Sequence, residues 1–99
     1  MAIGMLMTLP GGTQEQYEQV NEKMFGKSPM NPEDAPAGLI VHTAGPSEEG
    51  WYIYDIWESK DAFRRFTQEK LMPATQELGF QPTGGGPQFF EIHNIVKAP

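Results

Sequence analysis

The chain has 99 residues, the length of one small domain, and we predict a single domain over residues 1–99. The net charge is −6 with only seven Lys and Arg residues, which argues against nucleic-acid binding, because such binding needs cations that displace counterions from phosphates. No cysteine is present, which excludes disulfides, thiolate metal sites and cysteine nucleophiles. No apolar run approaches the roughly 20 residues of a membrane span, so we expect a cytoplasmic protein with no membrane partner.

The first third of the chain predicts a strand, a helix and a loop. Ile3–Thr8 is a short apolar run closed by a Pro-Gly-Gly turn, which is typical of a strand. Thr13 and Gln16 have the spacing of a capping box, so a helix is predicted from there to Gly26. Three prolines follow in residues 26–38 and exclude a helix or central strand there. A loop of that length is a candidate lid.

The rest of the chain predicts a hairpin, a second helix and a final strand. Residues 39–44 and 51–57 are rich in β-branched and aromatic side chains and flank a turn. Ser59 offers an N-cap, and apolar residues then recur at helical spacing to residue 78, with a bend expected near Pro73. After a Gly/Pro stretch over residues 80–87, residues 89–96 are predicted to form the last strand.

The predicted element order is β-α-β-β-α-β, which is the ferredoxin-like α+β fold with two helices on one face of a four-stranded antiparallel sheet. Strand alternation predicts one face that mixes apolar and ionisable side chains. On the third strand these are Ile53, Asp55 and Trp57, opposite Tyr52, Tyr54 and Ile56. A mixed face of this kind is unfavourable in water. We therefore expect a second copy of the chain to cover it, giving a homodimer that encloses a ligand pocket.

Residues 57–63, Trp-Glu-Ser-Lys-Asp-Ala-Phe, form a strand end in Trp that turns through Ser into an amphipathic helix. This segment resembles a motif of the antibiotic biosynthesis monooxygenase superfamily. The resemblance implies a dimeric α+β barrel, in a superfamily that includes cofactor-independent quinone-forming oxygenases and haem-degrading enzymes. It also implies that Trp57 lines an internal cavity, together with Ile53 and Asp55.

The sequence also departs from that superfamily. Many members carry a histidine in the second helix, where Phe66 stands here. The iron-binding histidine of the haem-degrading branch falls near Gln76, and its strand-one asparagine falls near Met7. A haem-degrading activity is therefore not expected.

A histidine and a carboxylate on adjacent strands are the strongest catalytic candidates. One hairpin register places His42 opposite Ile53, and a register two residues different places it opposite Asp55. Both registers put His42 and Asp55 on one face. A carboxylate that orients an imidazole is the arrangement of a general base, although the same pair is also common as a structural cross-strand contact.

Further residues are candidates for the binding site. On the last strand, His93 and Glu91 form a weaker pair of the same kind, and with His42 and Asp55 they would supply ligand types that suit iron or manganese. Their spacing does not require a metal, so neither a metal nor a cofactor is expected. Met5 and Met7 on the first strand are flexible apolar side chains that suit a flat aromatic ligand.

Two classes of function remain open on the sequence. The first is a small homodimeric enzyme, a cofactor-independent monooxygenase that removes a proton from a planar phenol, anthrone or hydroquinone and lets the anion react with O2 directly. An isomerase, cyclase or decarboxylase would use the same proton removal without O2. The second class is a non-catalytic small-molecule-binding or stress-responsive dimeric barrel, in which His42 and Asp55 are structural.

Overall fold

The computed structural model describes residues 2–28, 30–80 and 86–99, in which helices cover one face of a four-stranded sheet. The strands are β1 (Ile3–Pro10), β2 (Leu39–Pro46), β3 (Gly50–Trp57) and β4 (Gln88–Glu91). The helices are α1 (Gln14–Phe25), α2 (Lys60–Phe66) and α3 (Met72–Glu77), with a 3-10 turn at Pro32–Asp34. All strand pairs are antiparallel in the order β2-β3-β1-β4, which confirms the predicted ferredoxin-like fold. Among these residues no helix is long and apolar enough to cross a membrane.

Helix α1 begins at the predicted capping box. The Gln16 amide donates to Thr13 Oγ1 at 3.1 Å, and the Thr13 amide donates to Gln16 Oε1 at 3.3 Å. The helix ends at Gly26, whose φ of 75° is the left-handed conformation that glycine adopts without strain. The predicted bounds of this helix are confirmed.

The second helical region is divided by a π-helical turn at Thr67–Leu71, which joins α2 to α3. Pro73 lies just after this turn and has no amide hydrogen to donate to the preceding turn. The wider π-helical turn accommodates the missing hydrogen bond. The bend that Pro73 predicts is therefore present, as a π-helical turn between two short helices. The N-cap is as predicted, because the Ala62 amide donates to Ser59 Oγ at 3.1 Å.

A β-bulge in β2 sets which side chains of that strand face the helices. Val41 pairs with Ile56 and His42 with Asp55, but Leu39 pairs with Trp57, so one residue of β2 is unpaired between them. In a regular strand, side chains three positions apart, such as those of Leu39 and His42, point to opposite faces of the sheet. The bulge therefore brings His42 to the same face as Leu39 and Asp55.

The mixed face of the sheet lies against the helices, which corrects the expectation that a partner chain covers it. The core cluster of Met5, Trp57 and Phe63 joins β1 and β3 to α2. The opposite, outer face of the sheet carries the cleaner apolar set, in which Tyr52 lies over Gly45 and Tyr54 lies over Gly4. A pocket on the mixed face is therefore formed within one chain.

Strand β4 is shorter than predicted, since it ends at Glu91 instead of residue 96. Its only strand partner among the described residues is β1, and Glu91 already pairs with Ile3 at the beginning of that strand. One further bond, from the Ile92 amide to the Ala2 carbonyl at 3.0 Å, ends the pairing. The residues beyond have no strand left to pair with, which leaves His93 outside the sheet. Most of the predicted Gly/Pro loop, residues 81–85, lies outside the described residues.

Candidate active site

A cavity of about 730 Å³ lies between the mixed face of the sheet and the helices. This volume is within the range of roughly 300–1,000 Å³ that is usual for small-molecule sites. Most of its wall is apolar. The apolar part of the wall includes Met5, Met7, Leu9, Val20, Met24, Ile53, Trp57, Phe63 and Phe66. Such a wall suits a hydrophobic ligand.

A chain of hydrogen bonds runs along one wall of this cavity and joins α1, β2 and β3. Trp57 Nε1 donates to Asp55 Oδ2 at 3.1 Å, and His42 Nδ1 lies 2.7 Å from Asp55 Oδ1. His42 Nε2 is hydrogen-bonded in turn to the hydroxyl of Tyr17. All four side chains line the cavity. The hairpin register that sets His42 opposite Asp55 is therefore the one adopted.

The chemistry of the groups fixes the direction of these bonds. Asp55 is only 4% exposed, and an ionised carboxylate accepts hydrogen bonds without donating any, so Trp57 and His42 both donate to it. With the Nδ1 proton directed at Asp55, a neutral His42 ring accepts at Nε2, and Tyr17 donates its hydroxyl proton there. Asp55 thus holds one tautomer of His42, as a general base requires.

The Tyr17 phenol is half-buried between two aromatic rings. Its ring stacks with that of His42 at a centroid distance of 6.0 Å and contacts that of Trp51 at 5.4 Å. Burial raises the pKa of Tyr17 above its ordinary value of 10.0; an interaction with the Asn21 amide opposes this shift, and the Asp55 charge adds to it. Tyr17 is therefore protonated at neutral pH and serves as a hydrogen-bond donor.

Two buried polar groups beside Tyr17 have no hydrogen-bond partner of normal geometry among the described residues. They are Asn21 Nδ2 and Trp51 Nε1. Asn21 is 3% exposed and lies one helical turn after Tyr17, and both it and Trp51 belong to the cavity wall. Buried donors are usually satisfied, so these two mark the end of the cavity near Tyr17 as its polar end.

The structure brings six of the eight predicted site residues to this cavity. These are His42, Asp55, Trp57, Ile53, Met7 and Met5. The other two, Glu91 and His93, are exposed and do not line the cavity: Glu91 is the last residue of the edge strand β4, and His93 lies beyond the end of that strand. Within the described residues, no three His, Cys, Asp or Glu side chains gather as a metal-binding group.

Sequence reasoning missed Tyr17, Asn21 and Trp51. Tyr17 lies on the apolar face of α1, where Tyr17, Val20, Asn21 and Met24 share the spacing of one helix face. A hydroxyl and an amide on that stripe, one turn apart, were the available signal. Two polar groups on an otherwise apolar helix face indicate either a hydrogen-bonded core or a site.

The fold is shared with solved structures of two Streptomyces proteins. A mutant of SnoaB, described as a cofactor-independent oxygenase from Streptomyces nogalater, matches with a TM-score of 0.58 and 16% sequence identity, covering 98% of this chain and 97% of that one. The monooxygenase from the ActVA-Orf6 gene of Streptomyces coelicolor, in complex with nanaomycin D, matches with a TM-score of 0.51 and 19% identity, covering 99% and 92%.

No family model matches the sequence, and neither does any curated protein. At these identities the two structural likenesses establish the fold. For the fold, they confirm the resemblance that residues 57–63 indicated.

Proposed function

We propose that this protein is a cofactor-independent monooxygenase of planar aromatic compounds such as anthrones, phenols or hydroquinones. The observation that carries the proposal is the Asp55–His42–Tyr17 chain at the wall of an apolar cavity. A base held in one tautomer beside a space that excludes water is what proton removal from a weakly acidic aromatic compound needs. The fold shared with a cofactor-independent oxygenase and with a monooxygenase in complex with nanaomycin D supports the same function.

The proposed reaction has two stages. His42 first acts as the base for a proton of the substrate, while Asp55 stabilises the imidazolium that forms. The resulting anion then gives electrons to O2, and one oxygen atom bonds to the carbon that lost the proton. For a methylene substrate the overall change is CH2 plus O2 to C=O plus H2O, so O2 is the only oxidant. The apolar walls protect the anion from protonation by water until O2 arrives.

The homodimer is still expected, but through the outer face of the sheet, which lies opposite the cavity. Phe90 on β4 is 47% exposed and Val41 on β2 is 38% exposed, and the two lie in one row across this face, in which Phe90 pairs with Gly4, Gly4 with Ile56 and Ile56 with Val41. Contiguous exposed apolar surface of this kind indicates an interface, and a two-fold axis lets two copies cover it mutually. We expect light scattering at micromolar concentration to give the mass of two chains, and a monomeric mass would contradict this.

Oxygen uptake by metal-stripped protein tests the proposed activity. The assay uses a panel of anthrones, naphthalenediols and hydroquinones, and compares two matched variants, His42→Gln and His93→Gln. We expect uptake with at least one compound, lost in His42→Gln and retained in His93→Gln, because His93 is exposed and outside the cavity. Tight binding of the same compounds without uptake would favour a non-catalytic binding protein.

A further inference from the structure

We propose that Tyr17 is a catalytic residue, which takes the substrate's proton at its hydroxyl oxygen while it passes its own proton to His42. This inference rests on the proton-removal stage of the proposed function but not on the reaction with O2. It assigns the contact with the substrate to α1 instead of to the histidine of the hairpin.

Both ring nitrogens of His42 already take part in hydrogen bonds. Nδ1 faces Asp55 Oδ1 at 2.7 Å, and Nε2 accepts the hydrogen bond of the Tyr17 hydroxyl. A substrate in the cavity therefore meets no free nitrogen lone pair on His42. The Tyr17 oxygen is the atom through which a proton reaches Nε2 without first breaking this chain.

The phenol of Tyr17 is held in place at the cavity wall. Tyr17 lines the cavity, and its ring is fixed by contact with Trp51 and by stacking on His42. The buried Asn21 amide lies one turn away on the same helix face, and its Nδ2 has no partner of normal geometry among the described residues. The Asn21 amide interacts with the Tyr17 phenol, and an amide hydrogen there stabilises the partial negative charge that the oxygen carries only while the two protons move.

Negative charge does not remain on Tyr17 after the transfer. Burial and the charge of Asp55 disfavour a free phenolate, since both raise the pKa of Tyr17. The two proton movements are therefore coupled, and the phenol transmits a proton without storing charge. The positive charge ends on His42, next to the buried carboxylate of Asp55 that compensates it.

The bonds and charges of the step balance. The substrate C–H bond breaks and leaves its electron pair on the substrate, while a new O–H bond forms at Tyr17. The original Tyr17 O–H bond breaks as an N–H bond forms at His42 Nε2. A neutral substrate and a neutral imidazole become an anion and an imidazolium, and no electron is exchanged with an oxidant. The substrate this requires is a carbon acid whose anion is delocalised over a planar ring system.

Anaerobic hydrogen–deuterium exchange tests this step separately from oxygenation. Anthrone is incubated with the protein in D2O without oxygen, and loss of its methylene proton signal is followed by NMR. We expect wild-type protein to accelerate the exchange and Tyr17→Phe to slow it by about 100-fold or more, the usual contribution of a positioned acid–base group. The matched control Tyr52→Phe, on the outer face of the sheet, retains the wild-type rate.

A double-mutant comparison separates a catalytic role of Tyr17 from a structural one. If Tyr17 and His42 act as one relay, the double variant Tyr17→Phe/His42→Gln exchanges no more slowly than the slower single variant. Exchange at the wild-type rate in Tyr17→Phe, additive losses in the double variant, or no exchange by wild-type protein would each overturn the proposal. Exchange that depends on Tyr17 without oxygen uptake would support it while contradicting the monooxygenase.

Discussion

Replacing Asp55 by Asn tests the hydrogen-bond chain at its centre. Asp55 is 4% exposed and accepts from His42 at 2.7 Å and from Trp57 at 3.1 Å. An Asn side chain has one acceptor and one donor group in place of two acceptors. If its oxygen faces His42, its NH2 group opposes the indole N–H of Trp57. If its oxygen faces Trp57, its NH2 group faces His42 Nδ1 and favours the tautomer that carries its proton on Nε2.

Both orientations have a measurable cost. A buried donor left without an acceptor costs about 1–3 kcal/mol, part of which is offset because the variant no longer buries a charge. For a domain of this length we expect Tm to fall by roughly 5–20 °C, with the fold retained. Proton removal from substrate falls by at least about 100-fold in either orientation, because one changes the His42 tautomer and removes the acceptor for Tyr17, and the other leaves the imidazolium without a carboxylate charge beside it.

Urea unfolding and the anaerobic exchange assay measure the two effects on one sample. Asp61→Asn is the matched control. Asp61 is 86% exposed, and its ion pair with Arg64 is a long surface contact of 3.7 Å. We expect that control to change stability by less than about 1 kcal/mol and activity not at all. An Asp55→Asn protein with wild-type stability and wild-type exchange would refute the assigned bonds.

Three more results are expected. Ser59→Ala removes the acceptor of the Ala62 amide and lowers the free energy of unfolding by about 0.5–2 kcal/mol in urea titrations, whereas Ser59→Thr keeps most of it. Gly38→Ala destabilises the protein by more than about 1 kcal/mol, because the φ of Gly38 is 90° and a Cβ there would lie 2.5 Å from Ala62 Cβ; a wild-type urea midpoint would contradict that close contact. When the ultraviolet absorbance of wild type and Tyr17→Phe is titrated with pH, the difference between the two curves reports Tyr17. We expect its midpoint above pH 10, because burial raises the pKa of that phenol. The raised pKa also contributes stability to the native state at pH values below the ordinary pKa of the phenol, and this contribution is lost as pH rises through the higher native pKa. A Tyr17 midpoint below pH 10 would show that the phenol is not desolvated.

The fold could be predicted because its signals are local and repeated. The capping box at Thr13, the N-cap at Ser59 and the two β-rich runs of the hairpin each fix an element independently of tertiary contacts. The end of β4 at Glu91 could not be predicted in the same way. It depends on where β1 begins to pair, which is a property of two distant segments.

The candidate site was predictable in part. Strand alternation placed Ile53, Asp55 and Trp57 on one face, but it did not show whether helices or a partner chain cover that face. The β-bulge after Leu39 sets the orientation of His42, and no residue in β2 marks the bulge in the sequence. Tyr17 was missed because its hydroxyl partner lies 25 residues away, beyond the reach of any periodic pattern.

Isotope labelling tests the central claim, that this chain inserts oxygen into an aromatic substrate by way of an anion formed in its own cavity. Metal-stripped protein is incubated with anthrone under ¹⁸O-labelled O2, with His42→Gln as the comparison, and the mass of the product is measured by mass spectrometry. We expect a ketone that carries one labelled oxygen atom, formed by wild-type protein and not by the variant. A product without label, or one formed equally by His42→Gln, would contradict it.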